Sequence, residues 1–286
     1  MTRKKMNKLK ILITTGDPLG IGPEISVKAA IAMQHKCTPI LIGSRKDFGE
    51  LPCEFIDVCG NSFDYVKKAV ELLQTGEYSK LVTAPISKKN WQDLGVPYPA
   101  HTEALAALTN TQKYAMIFAN SKAKVVLTTR HIAIKDVPQA FNQATLNEAI
   151  EVGIDFLNQL GIKNKRIGIC SLNPHGDENC SVDILIPKYK NVEFIGPTSG
   201  DALFQKAVLG TLDLIVAAYH DQGIFPLKAM DYYRCVNITI GLPFVRVSPG
   251  HGTAFDIAGK NIANPDAMIE AIDWALRLGG SKQISA

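Results

Sequence analysis

Short β-branched and aliphatic runs recur along this chain, each followed by Gly, Pro or Asp and then by a segment with helical apolar period. This alternation constrains the fold more than any other feature, because strands joined through helices build a mostly parallel sheet with helices on both faces. Strands are predicted at Lys10 to Thr15, Pro39 to Gly43, Glu54 to Val58, Lys80 to Ala84, Ala115 to Phe118, Lys124 to Thr129, Arg166 to Ser171, Val192 to Ile195, Leu212 to Ala218 and Cys235 to Val247. From Thr145, the residues Leu146, Ala149, Ile150, Gly153, Ile154, Leu157 and Leu160 keep a 3.6 period, with Gly161 as a stop. A last helix follows Asn264-Pro265-Asp266 and ends at Gly279-Gly280. Roughly ten strands is a lot for one open sheet, so two lobes separated by a cleft are expected. No repeat, low-complexity tract or Pro/Gly/Ser linker marks the boundary. It is placed so that 1–100 with 256–286 form one α/β lobe and 101–255 the second.

A chain of 286 residues with 46% hydrophobic and 20% charged residues can bury a substantial core. The formal charge of +4 comes from 31 basic and 27 acidic residues that are mixed along the chain. Its one basic cluster, Arg3-Lys4-Lys5 with Lys8 and Lys10, lacks interleaved aromatics and reads as a solubilising tail, so no nucleic-acid partner is expected. The six cysteines are scattered without a C-x-x-C pair, which argues against a zinc ribbon or a disulfide scaffold and for a reducing cytoplasm. Ile11-Leu12-Ile13, ahead of Asp17-Pro18, is too short for a signal segment, and no run approaches the roughly 20 apolar residues of a membrane span.

Five of the six histidines sit where a strand is expected to end, while His35 ends a helix. In open α/β sheets ligands gather outside the carboxyl ends of strands. His131 follows Val125 to Arg130, His175 closes Ser171-Leu172-Asn173-Pro174-His175, and His220 follows Ile215 to Tyr219. Three neutral imidazoles hold a first-row metal with positions left open for water or a substrate oxygen. Each taken singly is also explained by a hydrogen bond to nearby backbone.

Thr14 to Glu24 forms a glycine-rich strand-to-helix turn with Pro23 suited to the first helical turn. Its amides suit an anion or serve only the turn; it is neither a Walker A loop nor G-x-G-x-x-G. Thr102 suits a helix cap, with His101 just ahead of it. Between Asn237 and Gly259, the polar residues Asn237, Arg246, Ser248, His251, Thr253 and Asp256 stand among glycines, as in a loop that lies against a ligand. Lys228 is a further candidate for phosphate binding or proton transfer.

Taken in order, Gly16-Asp17-Pro18 with Gly20-Ile21-Gly22-Pro23, Thr83-Ala84-Pro85-Ile86-Ser87-Lys88, His101-Thr102-Glu103, Leu172-Asn173-Pro174-His175, Asp201-Ala202-Leu203-Phe204, Tyr219-His220-Asp221-Gln222-Gly223 and Asn237 to Ala254 make the chain resemble the 4-hydroxythreonine-4-phosphate dehydrogenase family of pyridoxal phosphate biosynthesis. The resemblance implies a homodimer of two-lobed α/β/α subunits, related in fold to isocitrate and isopropylmalate dehydrogenases, with the active site in the interlobe cleft at the dimer interface. It assigns one divalent metal ion (Zn, Mg or Co) to His131, His175 and His220, and substrate contacts to His101, Thr102, Asp201, Lys228, Asn237 and Arg246, with Lys228 and Asp201 as catalytic groups. The stretch His251 to Gly259, followed by Asn264-Pro265, also resembles the adenosine-binding loop of isopropylmalate and isocitrate dehydrogenases, and implies NAD or NADP binding through His251, Gly252, Thr253, Asp256 and Asn264.

The implied reaction is oxidation of 4-phosphohydroxy-L-threonine with NAD(P), then decarboxylation to 3-amino-2-oxopropyl phosphate. The chain departs from the family at Ala100, usually Gly, at Gly250, often Asp, and in the segment Gly176-Asp177-Glu178-Asn179-Cys180. These departures bear on substrate identity. The alternatives are a paralogue acting on another phosphorylated hydroxy acid, such as a four-carbon sugar acid 4-phosphate, and, from another class, a metal-dependent hydrolase.

Overall fold

A computed structural model describes residues 8–175 and 189–279. The basic cluster Arg3-Lys4-Lys5 and the departure at Gly176 to Cys180 lie outside them. In chain order the elements begin with β1 (Lys10–Thr14), α1 (Gly22–Met33), β2 (Thr38–Gly43), β3 (Glu54–Asp57), α2 (Ser62–Gln74), β4 (Lys80–Thr83), α3 (Lys88–Asp93) and α4 (His101–Leu108). They continue with β5 (Ala115–Ala119), β6 (Lys124–Leu127), α5 (Val137–Ala140), α6 (Gln143–Gln159), β7 (Lys165–Cys170), β8 (Val192–Thr198), α7 (Gly200–Val208), β9 (Leu214–Ala217), α8 (His220–Met230) and β10 (Val236–Ile240). The chain closes with β11 (Val245–Pro249) and α9 (Asp266–Arg277). No helix among the described residues is long and apolar enough to cross a membrane.

The chain divides into two compact units. The first comprises the described residues up to Gln112 together with those from Leu242 onward, and the second runs from Lys113 to Gly241. The expected cuts after residues 100 and 255 therefore fall inside the first unit. There, α4 packs on α2 and β11 pairs in parallel with β4, so both belong with the first core.

In the first unit the strands lie in the order β3-β2-β1-β4-β11, all parallel. In β1, successive residues Ile11, Leu12 and Ile13 are fully buried although their side chains point to opposite faces, so both faces are covered. Helices α1 and α9 pack together, as do α2 and α4. Lys80 threads its ammonium to the carbonyls of Ala275, at 2.6 Å, and Leu278, capping the end of α9 from inside the core.

The second unit orders its strands β10-β5-β6-β9-β7-β8. The pairs β10–β5 and β5–β6 are antiparallel and the rest parallel. Helix α6 starts at a capping box in which Asn142 and Thr145 satisfy each other's end of the first turn, two residues earlier than the periodicity predicts, and Gly161 follows it at φ +74°. Helices α6 and α8 both lie on β6 and β9, and α7 packs on β7 and β9. The N-terminal turn of α8 approaches its strands closely: a Cβ at Gly223 would stand 2.8 Å from Val125 and 2.9 Å from Leu127.

The predicted strand from Cys235 to Val247 is two strands, β10 and β11. Gly241 breaks it at φ +105°, a left-handed conformation open to glycine, where a Cβ would also collide with the Lys113 carbonyl. The glycine-rich turn after β1 uses its own amides. Asp17 N–H donates to Pro85 O at 2.9 Å, Leu19 N–H to Asp17 Oδ1 at 3.0 Å, Gly20 N–H to Asp17 O at 3.1 Å and Ile21 N–H to Thr253 O at 2.9 Å. An anion at these four amides would have to displace their partners, so they serve the turn itself.

Candidate active site

Arg246 sits near the start of β11 at 3% exposure, so its guanidinium is almost wholly out of water. Its Nη2 and Nε donate to Thr83 Oγ1 at 2.7 and 3.2 Å, and Nη1 reaches Thr102 Oγ1 at 3.5 Å. Burial pulls its pKa down to about 10, a fall that the neighbouring Glu103 carboxylate opposes. Thr102 is also buried, in the first turn of α4. Helix α4 begins at His101 behind an extended Ala100 and has no side-chain cap, so the predicted Thr102 cap does not form. At φ −164° Ala100 stands in ordinary extended backbone, which does not require glycine.

His101 is buried rather than solvent-facing. Its ring meets Trp91 edge-on at 5.3 Å, and Trp91 Nε1 donates to Ser62 Oγ at 2.8 Å. Burial, and then the adjacent Arg246 cation, hold His101 well below the ordinary histidine range, so the imidazole is neutral. His101 Nε2 and Glu103 Oε2 are buried without a hydrogen-bond partner among the described residues. A cation, hydroxyls and a neutral imidazole with one unsatisfied ring nitrogen are thus grouped out of water, a set of donor types of the kind that meets an oxyanion.

In the second unit, His131 follows β6 and His220 opens α8, with ring centroids 5.7 Å apart. Two imidazoles on one tetrahedral ion at about 2.0–2.1 Å have centroids roughly 5 Å apart, so this pair has the chemistry and nearly the spacing of ion ligands. His220 Nδ1 lies 2.8 Å from Asp221 Oδ1, a carboxylate contact that orients the ring and leaves Nε2 on the edge away from Asp221. His175 ends an exposed turn, with its backbone N–H on Asn173 Oδ1 at 2.9 Å. The structure thus pairs two of the three expected ligands, and among the described residues no group of three His, Cys, Asp or Glu side chains converges.

Asp201 lies in the exposed first turn of α7, where the Ser199 hydroxyl and the Ala202 amide hold its carboxyl below the usual range. Lys228, near the end of α8, places its ammonium 5.5 Å from the centre of the Tyr232 ring. Asn237 is half-buried on β10, with Nδ2 on the Met116 sulfur at 3.2 Å and Oδ1 without a partner among the described residues.

The loop from His251 to Asn264 is fixed to α1. Glu24 accepts the Ala263 amide at 2.8 Å and the Lys28 ammonium at 2.7 Å, and Lys28 also donates to the carbonyls of Asn261 and Ala263. Gly20 lies against Thr253, with room for no side chain. Gly252 and Asp256 are exposed, His251 and Thr253 half-buried. Asn264 Oδ1 accepts the Asp266 amide at 2.7 Å, so that side chain serves the start of α9.

Sequence reasoning named Arg246, His101 and Thr102 but gave no role to Thr83, Trp91, Glu103 or Asp221. Thr83 carried a signal, since it ends a strand as the histidines do. Trp91 carried none, because its edge contact with His101 exists only once α3 and α4 are packed.

A family model described as pyridoxal phosphate biosynthetic protein PdxA matches residues 36–275. The chain is 35% identical to the 4-hydroxythreonine-4-phosphate dehydrogenase of Beijerinckia indica subsp. indica, with 94% of each chain covered. It is 33% identical to the D-threonate 4-phosphate dehydrogenase of Pectobacterium atrosepticum, over 96% of this chain and 100% of that one. The solved 4-hydroxythreonine-4-phosphate dehydrogenase from Klebsiella pneumoniae matches it with a TM-score of 0.80 at 31% identity, covering 96% of this chain and 98% of the other. Because the family model matches most of the chain and the relatives and solved structure match it nearly end to end, the chain belongs to the PdxA family of pyridoxal phosphate biosynthetic proteins and is a dehydrogenase of it.

Proposed function

We propose that the chain oxidises the secondary alcohol of 4-phosphohydroxy-L-threonine with NAD or NADP, and that the resulting β-keto acid loses carbon dioxide to give 3-amino-2-oxopropyl phosphate. The buried Arg246 with Thr83, Thr102 and neutral His101 carries this reading. A desolvated guanidinium presents a fixed fork to phosphate or carboxylate, and a neutral imidazole adds a hydrogen bond without a second charge to bury. Asn237 orients the substrate through its amide. Lys228 and Asp201 handle protons, the ammonium as donor and the carboxylate, kept anionic by Ser199 and Ala202, as acceptor. Hydride passes to the nicotinamide, which the loop carrying His251, Gly252, Thr253, Asp256 and Asn264 positions.

His131, His175 and His220 are the residues to hold a divalent ion, whether Zn, Mg or Co. Such an ion supplies Lewis acidity for loss of the alcohol proton and for the electron pair released with carbon dioxide. The subunit works as a homodimer in the cytoplasm; free cysteines at Cys37, Cys53, Cys59, Cys170 and Cys235 suit that reducing compartment.

D-threonate 4-phosphate is a second reading, favoured by similarity to the Pectobacterium enzyme close to that for the Beijerinckia one. Both substrates carry the 4-phosphate, and they differ at C2, amino against hydroxyl. The hydrolase reading falls with membership in a dehydrogenase family. The purified protein is expected to reduce NAD or NADP with 4-phosphohydroxy-L-threonine and to lose that activity in chelator. Arg246→Lys is expected to raise KM about 10–100-fold, as loss of a charge-assisted fork implies. Turnover of D-threonate 4-phosphate in place of the amino acid would transfer the assignment to the second substrate.

A further inference from the structure

The strand ends that bear His131, His175 and His220 are tied to one another by side chains that ligate nothing. Thr129 ends the segment before His131, and its N–H and Oγ1 donate to the Ala218 carbonyl at 3.0 and 2.7 Å. The N–H of the same Ala218, two residues before His220, donates to Gln222 Oε1 at 2.7 Å. Gln222 Nε2 in turn donates to the Ser171 carbonyl at 2.7 Å, where the turn leading to His175 begins. Ser171 Oγ donates to Asn173 O at 2.6 Å, and Asn173 Oδ1 accepts the His175 amide. Ala218, Thr129 and Ser171 are buried, and the bond from Thr129 Oγ1 to Ala218 O is shielded from water, while those of Gln222 are part-buried.

We infer that Gln222 and Thr129 are positioning residues that set the spacing of the three histidine-bearing strand ends for a divalent ion, an inference that rests on the proposed His131, His175 and His220 ligand set. A glutamine amide suits this place because it accepts from one strand end and donates to the next through a single rigid group. The β9 end joins β6 on one side and β7 on the other, so loss of either side chain frees one histidine relative to the other two. Outer groups that hold metal ligands in place typically account for about 10–100-fold in ion affinity.

Cobalt(II) titration of the whole purified protein, read by visible absorption, tests this alongside circular dichroism and NADH binding by fluorescence. His131→Ala and His220→Ala identify the histidine site. Gln222→Leu and Thr129→Val are expected to weaken cobalt binding about 10–100-fold, with fold and NADH binding kept, and Thr129→Ser to restore near-native affinity. Should Gln222→Leu not fold, the Thr129→Val and Thr129→Ser pair carries the test. Native-like cobalt affinity in the leucine and valine variants overturns the inference and leaves the metal reading standing. A native protein that binds no cobalt, or binds it undiminished without His131 and His220, overturns the metal reading and this inference with it.

Discussion

His101 shows at the residue scale how burial sets chemistry. A histidine taken out of water beside the Arg246 cation loses its proton, so it stands in the proposed site as a neutral hydrogen-bonding ring. The same shift makes stability depend on pH. In the unfolded chain this histidine titrates near 6.5, whereas in the folded protein it stays neutral to well below that. As pH falls through 6.5 the unfolded state therefore binds a proton that the folded state does not, and stability drops by up to about 1.4 kcal/mol per pH unit until the folded pKa is reached. His101→Gln is expected to remove this share of the acid decline. Urea unfolding at a series of pH values measures it, and parallel curves for the two proteins would show that His101 does not titrate in this way. Sequence alone flagged His101 through its neighbours Thr102 and Glu103, but its burial depends on Trp91 and Arg246 from distant segments.

At the scale of elements, helix α8 carries His220 and Lys228 and lies close on β6 and β9 because Gly223 has no side chain. Gly223→Ala would drive a methyl group to within 2.8–3.0 Å of Val125, Leu127 and Ala217. Overpacking of this kind costs about 1–3 kcal/mol, here with a displaced helix start, so the urea midpoint is expected to fall and cobalt affinity with it. The Gly241 break between β10 and β11 shows the limit of reading elements from sequence. A run of strand-forming residues from Cys235 to Val247 looks continuous, and what divides it is the positive φ of Gly241, at a place where the Lys113 carbonyl leaves no room for a side chain.

Across the whole molecule, each unit has its own buried core, the first around β1, β4 and α9, the second around Val125, Phe204, Ile215 and Leu227. Lys80→Met removes the donors that cap α9 inside the first core and is expected to cost about 1–3 kcal/mol. Hydrogen exchange is expected to quicken at amides of the first unit and to stay unchanged in the second. Uniform quickening would show instead that the chain opens as one body. The sequence by itself determined the α/β class, nearly every strand, the helix that it starts at Thr145 and the one after Pro265, since periodicity, caps and ordered motifs are local. Only the tertiary structure decided that His101 is buried and neutral and that the Asp17, Leu19, Gly20 and Ile21 amides of the glycine-rich turn are bonded within the protein. It also put Arg246 and α4 with the first unit and tied the histidine-bearing strand ends together through Gln222 and Ala218. Those outcomes depend on which distant groups share a volume without water, and that is set when the sheets and helices pack.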